Sequence, residues 1–327
     1  MQLKKTDLTG ALKILAADAS VFVPGEIEGI KRFVLWDGES DVDLGGANTQ
    51  LPPKDILFPC TEKMYNYKMG DSIEIKEIVE KPKQVIFGIR PCDMRSIDCM
   101  DHVFLEKGFV DSYYSRKREN VTLIAMGCTA PERTCFCDSM GLDPNNAPNA
   151  DVMMNDGGDT LVLEAYTEKG KAVLEALNGL LSEGGQGKKD TACTLKVNMT
   201  PELPEKLAGM FDHPIWDEVT RACIGCATCT YVCPTCYCFD IDSDNHGAEG
   251  TKFRCWDSCM FSDYTRMAGG HDPRPTKKER VRNRYMHKLS YFHERYGQHL
   301  CVGCGRCVEK CPAHMDITMF IDKAAEV

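Results

Sequence analysis

Cys223-Ile-Gly-Cys226-Ala-Thr-Cys229-Thr-Tyr-Val-Cys233-Pro234 and Cys301-Val-Gly-Cys304-Gly-Arg-Cys307-Val-Glu-Lys-Cys311-Pro312 are two copies of one pattern, C-x2-C-x2-C-x3-C-P. Three thiolates on one tight loop can meet three corners of a cubane 4Fe–4S cluster. The fourth cysteine, followed by a helix-ending proline, is normally given to the other cluster. This spacing predicts Cys223, Cys226, Cys229 and Cys311 on one cluster, and Cys301, Cys304, Cys307 and Cys233 on a second.

Two other readings of so many cysteines fit less well. Zinc sites use two CxxC pairs rather than triplets with a trailing Cys-Pro. Disulfide frameworks belong to small secreted chains. The spacing is that of bacterial-type dicluster ferredoxins, so an α-rich ferredoxin-like domain is expected over 215–327, with a long insertion between the motifs.

Outward from the motifs, composition sets bounds. The chain has 327 residues, 43% of them hydrophobic, 19 cysteines and a net charge of −10. That length suggests two domains with ordinary cores. The acidic balance argues against nucleic-acid and anionic-membrane partners. Lys4, Lys5, Asp7, Lys13 and Asp18 interrupt the apolar positions of the N-terminus, and no run is long enough to span a bilayer. A cytoplasmic location is expected, where cysteines are better explained by metal than by disulfides.

The N-terminal part, 1–214, reads as an α/β domain with a partly parallel sheet. Leu8 to Ala17 has helical spacing, and Val23 to Gly46 is punctuated by Pro and Gly. The apolar run Val85 to Ile89 breaks at Arg90-Pro91-Cys92-Asp93 and is followed by a helical stretch to Phe104. Val121 to Met126 repeats the design and ends at Gly127-Cys128. Such paired strands read as βαβ units, whose sites lie at the carboxyl ends of the strands. Cys92, Cys128, Cys135 and Cys137 fall there, a set for a third cluster, for unligated thiols or for a redox-active pair. Cys60, Cys99 and Cys193 read as packed structural thiols. Asp151 to Thr167 reads as a hairpin around 155–159, Gly170 to Leu181 as a helix, and 184–189 as a loop. The segment up to Trp216 is expected to pack the two domains together.

The insertion carries Cys236, Cys238, Cys255 and Cys259, which stay open between ligands and free thiols. Arg274 to Arg295 is basic and aromatic. A helix laid over anionic clusters, with Arg280, Arg282, Arg284 and Lys288 packing against and tuning them, is preferred over a docking face or a nucleic-acid site. No GxGxxG or Walker A run is present, nor any hydrolase constellation.

At these residues the chain resembles the β subunits of cytosolic sulfhydrogenases and the A subunit of anaerobic sulfite reductase. The likeness rests on Phe-Gly-Ile-Arg-Pro-Cys-Asp at 87–93 and Gly-Cys-Thr-Ala-Pro-Glu-Arg-Thr-Cys-Phe-Cys at 127–137. It continues through Cys-Pro-Thr-Cys-Tyr-Cys-Phe-Asp at 233–240, Trp-Asp-Ser-Cys at 256–259, Arg-Pro-Thr-Lys-Lys-Glu-Arg at 274–280 and the two cluster motifs. Cys255 falls outside the pattern. The resemblance implies an electron-transfer subunit of an anaerobic multi-subunit oxidoreductase. It would stand between a flavin-containing NAD(P)-linked diaphorase and a terminal catalytic subunit, with ferredoxin as a further partner. The alternative is an enzyme that reduces a sulfur compound or a disulfide directly at its N-terminal cysteine site.

Overall fold

The computed structural model describes every residue except 80, 81, 107 and 189, the last of which belongs to the loop read at 184–189. Its strands are β1 (Gln2–Lys4), β2 (Ser20–Ile27), β3 (Ile30–Leu35), β4 (Thr61–Met69), β5 (Ile73–Glu77) and β6 (Gln84–Ile89). They continue with β7 (Val121–Met126), β8 (Val152–Asp156), β9 (Thr160–Ala165), β10 (Leu181–Ser182), β11 (Phe239–His246) and β12 (Glu249–Trp256). Eight of them form a mixed sheet in the order β10-β1-β9-β8-β7-β6-β2-β3. The pairs β2/β6, β6/β7 and β7/β8 are parallel, and the outer pairs are antiparallel.

The central strands are apolar on both faces because both faces are covered. Val85, Phe87, Ile124, Met126, Val152 and Met154 point into one core, with Leu12 and Leu15 of the helix Leu8–Ala16 and Val173 of the helix Glu168–Ala176. Ile86, Ile89, Leu123, Ala125 and Met153 point into the other, against Met94, Ile97, Met100 and Phe104 of the helix Pro91–Phe104. The register of β6 slips at Gly88, which has φ 83°; a side chain there would meet Leu44 at 2.7 Å. The slip sends Ile89 to the face of Ile86 and aims the strand end at Cys92. The helix expected over 170–181 begins two residues earlier, where Thr167 caps it by accepting from the Gly170 N–H at 3.2 Å. It ends at Ala176, ahead of a short 3-10 turn at Asn178–Leu180.

The insertion packs back onto the N-terminal part. Its hairpin β11–β12 joins β4 and β5 in a second sheet of order β11-β12-β4-β5. Arg254 on β12 lies opposite Glu62 on β4 and is ion-paired to Glu62 at 2.6 Å and to Asp111 at 2.7 Å, all but removed from solvent. Cys60, expected to be buried, is exposed at the start of β4. It precedes β4, whose residues are all exposed or half-buried except Glu62.

The C-terminal core gathers Leu203, Leu207, Trp216, Val281, Tyr285, Leu289, Phe320 and Ile321, and Phe136 and Met140 reach into it from the N-terminal part. The helix Lys277–Met286 is opened by Glu279 accepting from the Thr276 N–H at 2.9 Å, and it runs on through a π turn at His287–Tyr291. No helix among the described residues is long and apolar enough to cross a membrane.

Candidate metal centres

The first motif turns through two left-handed residues, Gly225 (φ 73°) and Ala227 (φ 64°), so its thiols fan inward from one loop. Cys223, Cys226, Cys229 and Cys311 line a single cavity together with Cys307 of the second motif, Arg284, Tyr285 and Met315. The backbone of Gly225 donates to the Cys223 sulfur at 3.4 Å, and that of Met315 to the Cys311 sulfur at 3.2 Å. Arg284 is 5% exposed. Its Nη2 donates to the Cys229 carbonyl at 3.2 Å, but its Nε has no partner. A buried donor left orphaned in a cavity of thiols is what a missing sulfide-bearing group would satisfy.

Cys301, Cys304 and Cys307 sit on the second loop, and Cys233 faces them from the first. Burial pushes the Cys301 and Cys304 thiols up to about 12. Without a cation these thiols stay protonated; bound iron supplies the charge that lets them ionise. Lys288 supplies part of it permanently. Burial alone would lower its pKa, but negative charge on Cys233 and Cys236 as thiolates outweighs that and holds the ammonium charged. It donates to the Thr235 hydroxyl at 2.6 Å, and its own carbonyl accepts from Leu300 and Cys301.

Arg280, Arg284 and Lys288 recur four residues apart, and all three are buried. Arg284 and Lys288 of this cationic stripe face the thiols, whereas Arg280 donates to the carbonyls of Arg274 at 2.9 Å and Pro275 at 3.0 Å. Arg282 lies off that stripe, with its guanidinium 3.7 Å from the Phe211 ring centre and bonded to the Phe211 carbonyl at 3.0 Å.

Cys92 opens the helix after β6 and Cys128 follows β7, as their places in the sequence suggested. The Arg90 guanidinium ties these strand ends together by donating to the carbonyls of Gly127 at 2.8 Å and Leu44 at 2.6 Å. Cys92, Cys135 and Cys137 pack together, and burial pushes Cys135 up to about 12. Cys128 stands at the edge, within electrostatic reach of Cys135 and Cys193. Cys193, which has no cysteine near it in sequence, belongs to this group, with its sulfur 3.6 Å from that of Cys137. It is buried, as expected of a packed thiol, and what it packs against is another cysteine. Cys99, by contrast, is a packed thiol as expected, fully buried and bonded to the His299 carbonyl at 3.8 Å.

The second loop docks backbone to backbone on this N-terminal group. Phe136 N–H donates to the Gly303 carbonyl at 2.8 Å, and the Cys135 thiol lies 3.7 Å from the Cys304 carbonyl. A Cβ on Gly303 would sit 2.6 Å from the Cys137 backbone, whereas one on Gly225, equally left-handed, would meet nothing within 4 Å. Gly225→Ala should therefore cost about 1–2 kcal/mol of left-handed strain. Gly303→Ala adds the displacement of the Phe136–Cys137 backbone, about 1–3 kcal/mol more. Anaerobic denaturant unfolding of the two variants measures the difference, and equal losses would contradict the docking.

Two charged residues complete the joint. Arg306, inside the second motif, makes a bidentate pair with Asp93 at 2.6 and 2.7 Å, both side chains buried, and its Nε donates to the Thr49 carbonyl at 2.6 Å. Among the described residues, no three Cys, His, Asp or Glu side chains converge on one point as a single ion requires.

Comparison with known proteins agrees with this geometry. Residues 222–315 match the family model described as a 4Fe-4S dicluster domain. The chain is 30% identical over 316 residues to the sulfhydrogenase 2 subunit beta of Pyrococcus furiosus, covering 94% of this chain and 92% of that protein. No solved structure matches. A likeness that runs nearly end to end, and takes in both the dicluster loops and the sheet beneath them, makes this chain a member of the sulfhydrogenase beta-subunit family.

Proposed function

We propose that the chain is an iron–sulfur electron-transfer subunit of a cytoplasmic, anaerobic, multi-subunit oxidoreductase. It relays electrons between a flavin-containing NAD(P)-linked diaphorase subunit and a terminal catalytic subunit, a hydrogenase, sulfite reductase or similar enzyme, with ferredoxin as a further partner. Residues 1–214 form the α/β domain and 215–327 the dicluster domain, whose hairpin β11–β12 crosses back to pair with β4. One 4Fe–4S cluster is held by Cys223, Cys226, Cys229 and Cys311. A second is held by Cys301, Cys304, Cys307 and Cys233, and a third by Cys92, Cys128, Cys135 and Cys137. Bound there, the clusters supply one-electron transfers at metal centres.

The observation that carries this reading is the contact between thiol sets. Cys229 and Cys307 share the field of Arg284, and the Cys304 carbonyl touches the Cys135 thiol. Arg284 and Lys288 lower the cost of negative charge on the first two sets. Cys226 and Ile224 are exposed, so the first set faces outward, where a partner's electron could enter or leave.

Anaerobic purification of the native assembly tests the relay. A flavoprotein and a metal-containing catalytic subunit are expected to co-purify, and a lone chain that turns over a sulfur compound would overturn it. For the third set, the variant Cys92→Ala/Cys128→Ala is expected to lose about four iron atoms per chain. Unchanged iron would remove that cluster from the scheme. One observation favours the second reading, an enzyme acting on a sulfur compound or disulfide: the buried thiols of Cys137 and Cys193 stand 3.6 Å apart, as a reactive pair would.

A further inference from the structure

Outside the twelve thiols of those three sets, the insertion holds Cys236, Cys238, Cys255 and Cys259, and the structure sorts them. Cys255 sits on β12, paired across the hairpin with Asp240. The carboxylates of Asp240, Asp257 and Asp242 surround it, a setting hostile to a thiolate. The other three meet in the bend between Cys233-Pro234 and β11. The Cys236 thiol lies beside that of Cys233, and the Cys238 thiol lies beside Cys259 and the Tyr264 hydroxyl.

The backbone holds them there. Asp257 N–H donates to the Cys238 carbonyl at 3.0 Å, closing the two arms of the insertion on each other. The hydroxyls of Ser258 and Thr230 are 2.8 Å apart and buried, which fastens Cys259 to the first motif.

Two buried cations look onto the same bend. Lys54 is 3% exposed, its ammonium 2.9 Å from the Cys236 carbonyl and 3.9 Å from the centre of the Trp256 ring. Lys288 is 2% exposed and approaches Cys233 and Cys236 from the other side. The carboxylate next to Lys54 in sequence, Asp55, is engaged by Arg32 at 2.7 Å. Burying an ammonium costs several kcal/mol unless negative charge lies close by. A carbonyl, a ring and neutral thiols do not supply it, whereas thiolates on a metal group do. Structural zinc sites close on four Cys or His donors, and apart from Cys233 this bend offers three thiols.

We propose that Cys236, Cys238 and Cys259 bind a further iron–sulfur cluster, with the Tyr264 hydroxyl as its nearest fourth donor. The proposal rests on the iron–sulfur reading of the chain given above. It places this cluster against the Cys233 side of the second set, which then has neighbours on three sides: Cys229, Cys135 and Cys236.

The test uses the full chain purified anaerobically, with iron and zinc analysis and EPR of the reduced protein. Cys259→Ala and Cys238→Ala are each expected to lose about four iron atoms per chain and one EPR component, leaving the other components in place. Cys255→Ala is expected to match the wild type. Unchanged iron in the first two variants, or zinc lost in place of iron, overturns the proposal. If both variants fail to fold, the wild type decides. An iron held by an oxygen rather than a thiolate is the labile one, so mild ferricyanide oxidation should produce a three-iron cluster, read as a new EPR signal. Absence of that signal overturns the proposal as well. A wild-type chain without iron would instead overturn the reading on which it rests.

Discussion

Asp93→Ala is expected to destabilise the protein by about 3–5 kcal/mol. The carboxylate is fully buried and grips both terminal nitrogens of Arg306. Removing it leaves a guanidinium unpaired in the interior, with only the Thr49 carbonyl on its Nε. Burial by itself disfavours that charge, and Asp93 is the strongest influence that restores it. The joint between the second cysteine loop and the sheet should therefore loosen before the rest of the chain unfolds. Anaerobic denaturant unfolding, followed by far-UV circular dichroism and by cluster absorbance, would show the absorbance falling first. Replacing both partners with apolar residues of similar size, Asp93→Leu with Arg306→Met, should recover much of the loss, because no buried charge is then left unpaired. An exposed pair such as Lys171 with Glu168, 66% and 88% exposed, serves as the control. Its removal should change stability by no more than about 0.5 kcal/mol. A loss of similar size for Asp93→Ala would mean that the pair is incidental.

Cys311→Ser is expected to remove or perturb the cluster of the first loop and to spare that of its own loop. Cys311 lies ten residues beyond Cys301, yet it lines the cavity of Cys223, Cys226 and Cys229, which Cys307 of its own loop also borders. Iron should fall by about four atoms per chain, with one reduced EPR component lost. Cys233→Ser should produce the mirror image, losing the component that Cys311→Ser retains. If each serine variant instead disturbs the cluster of its own loop, the two motifs bind independently. The fold would then be two modules joined by a hairpin, and the interleaving of Arg284 and Lys288 between the sets would have no electronic consequence.

The parts of this protein that were legible in the sequence are those set by short-range geometry. The period of the cysteines marks both cluster loops, because three thiols on a tight turn need those intervals. The strand at Val121–Met126 and the turn between Asp156 and Thr160 fall where runs of apolar residues and a Gly-rich break put them. Cys92 and Cys128 were placed at one sheet edge by the rule that binding sites gather at the carboxyl ends of parallel strands. None of these inferences needs a contact between distant residues. What the tertiary structure decided depends on such contacts. Cys193 reaches Cys137 across 56 positions, and Arg254 reaches Glu62 across 192. The Arg306–Asp93 pair spans 213. The insertion became the outer half of a second sheet, which left Cys60 exposed and brought Lys54 against the Cys236 carbonyl. A sequence reports which residues can share a turn or a face. Which turns then meet is decided by strand order and by the burial of charge, and neither leaves a periodic trace along the chain.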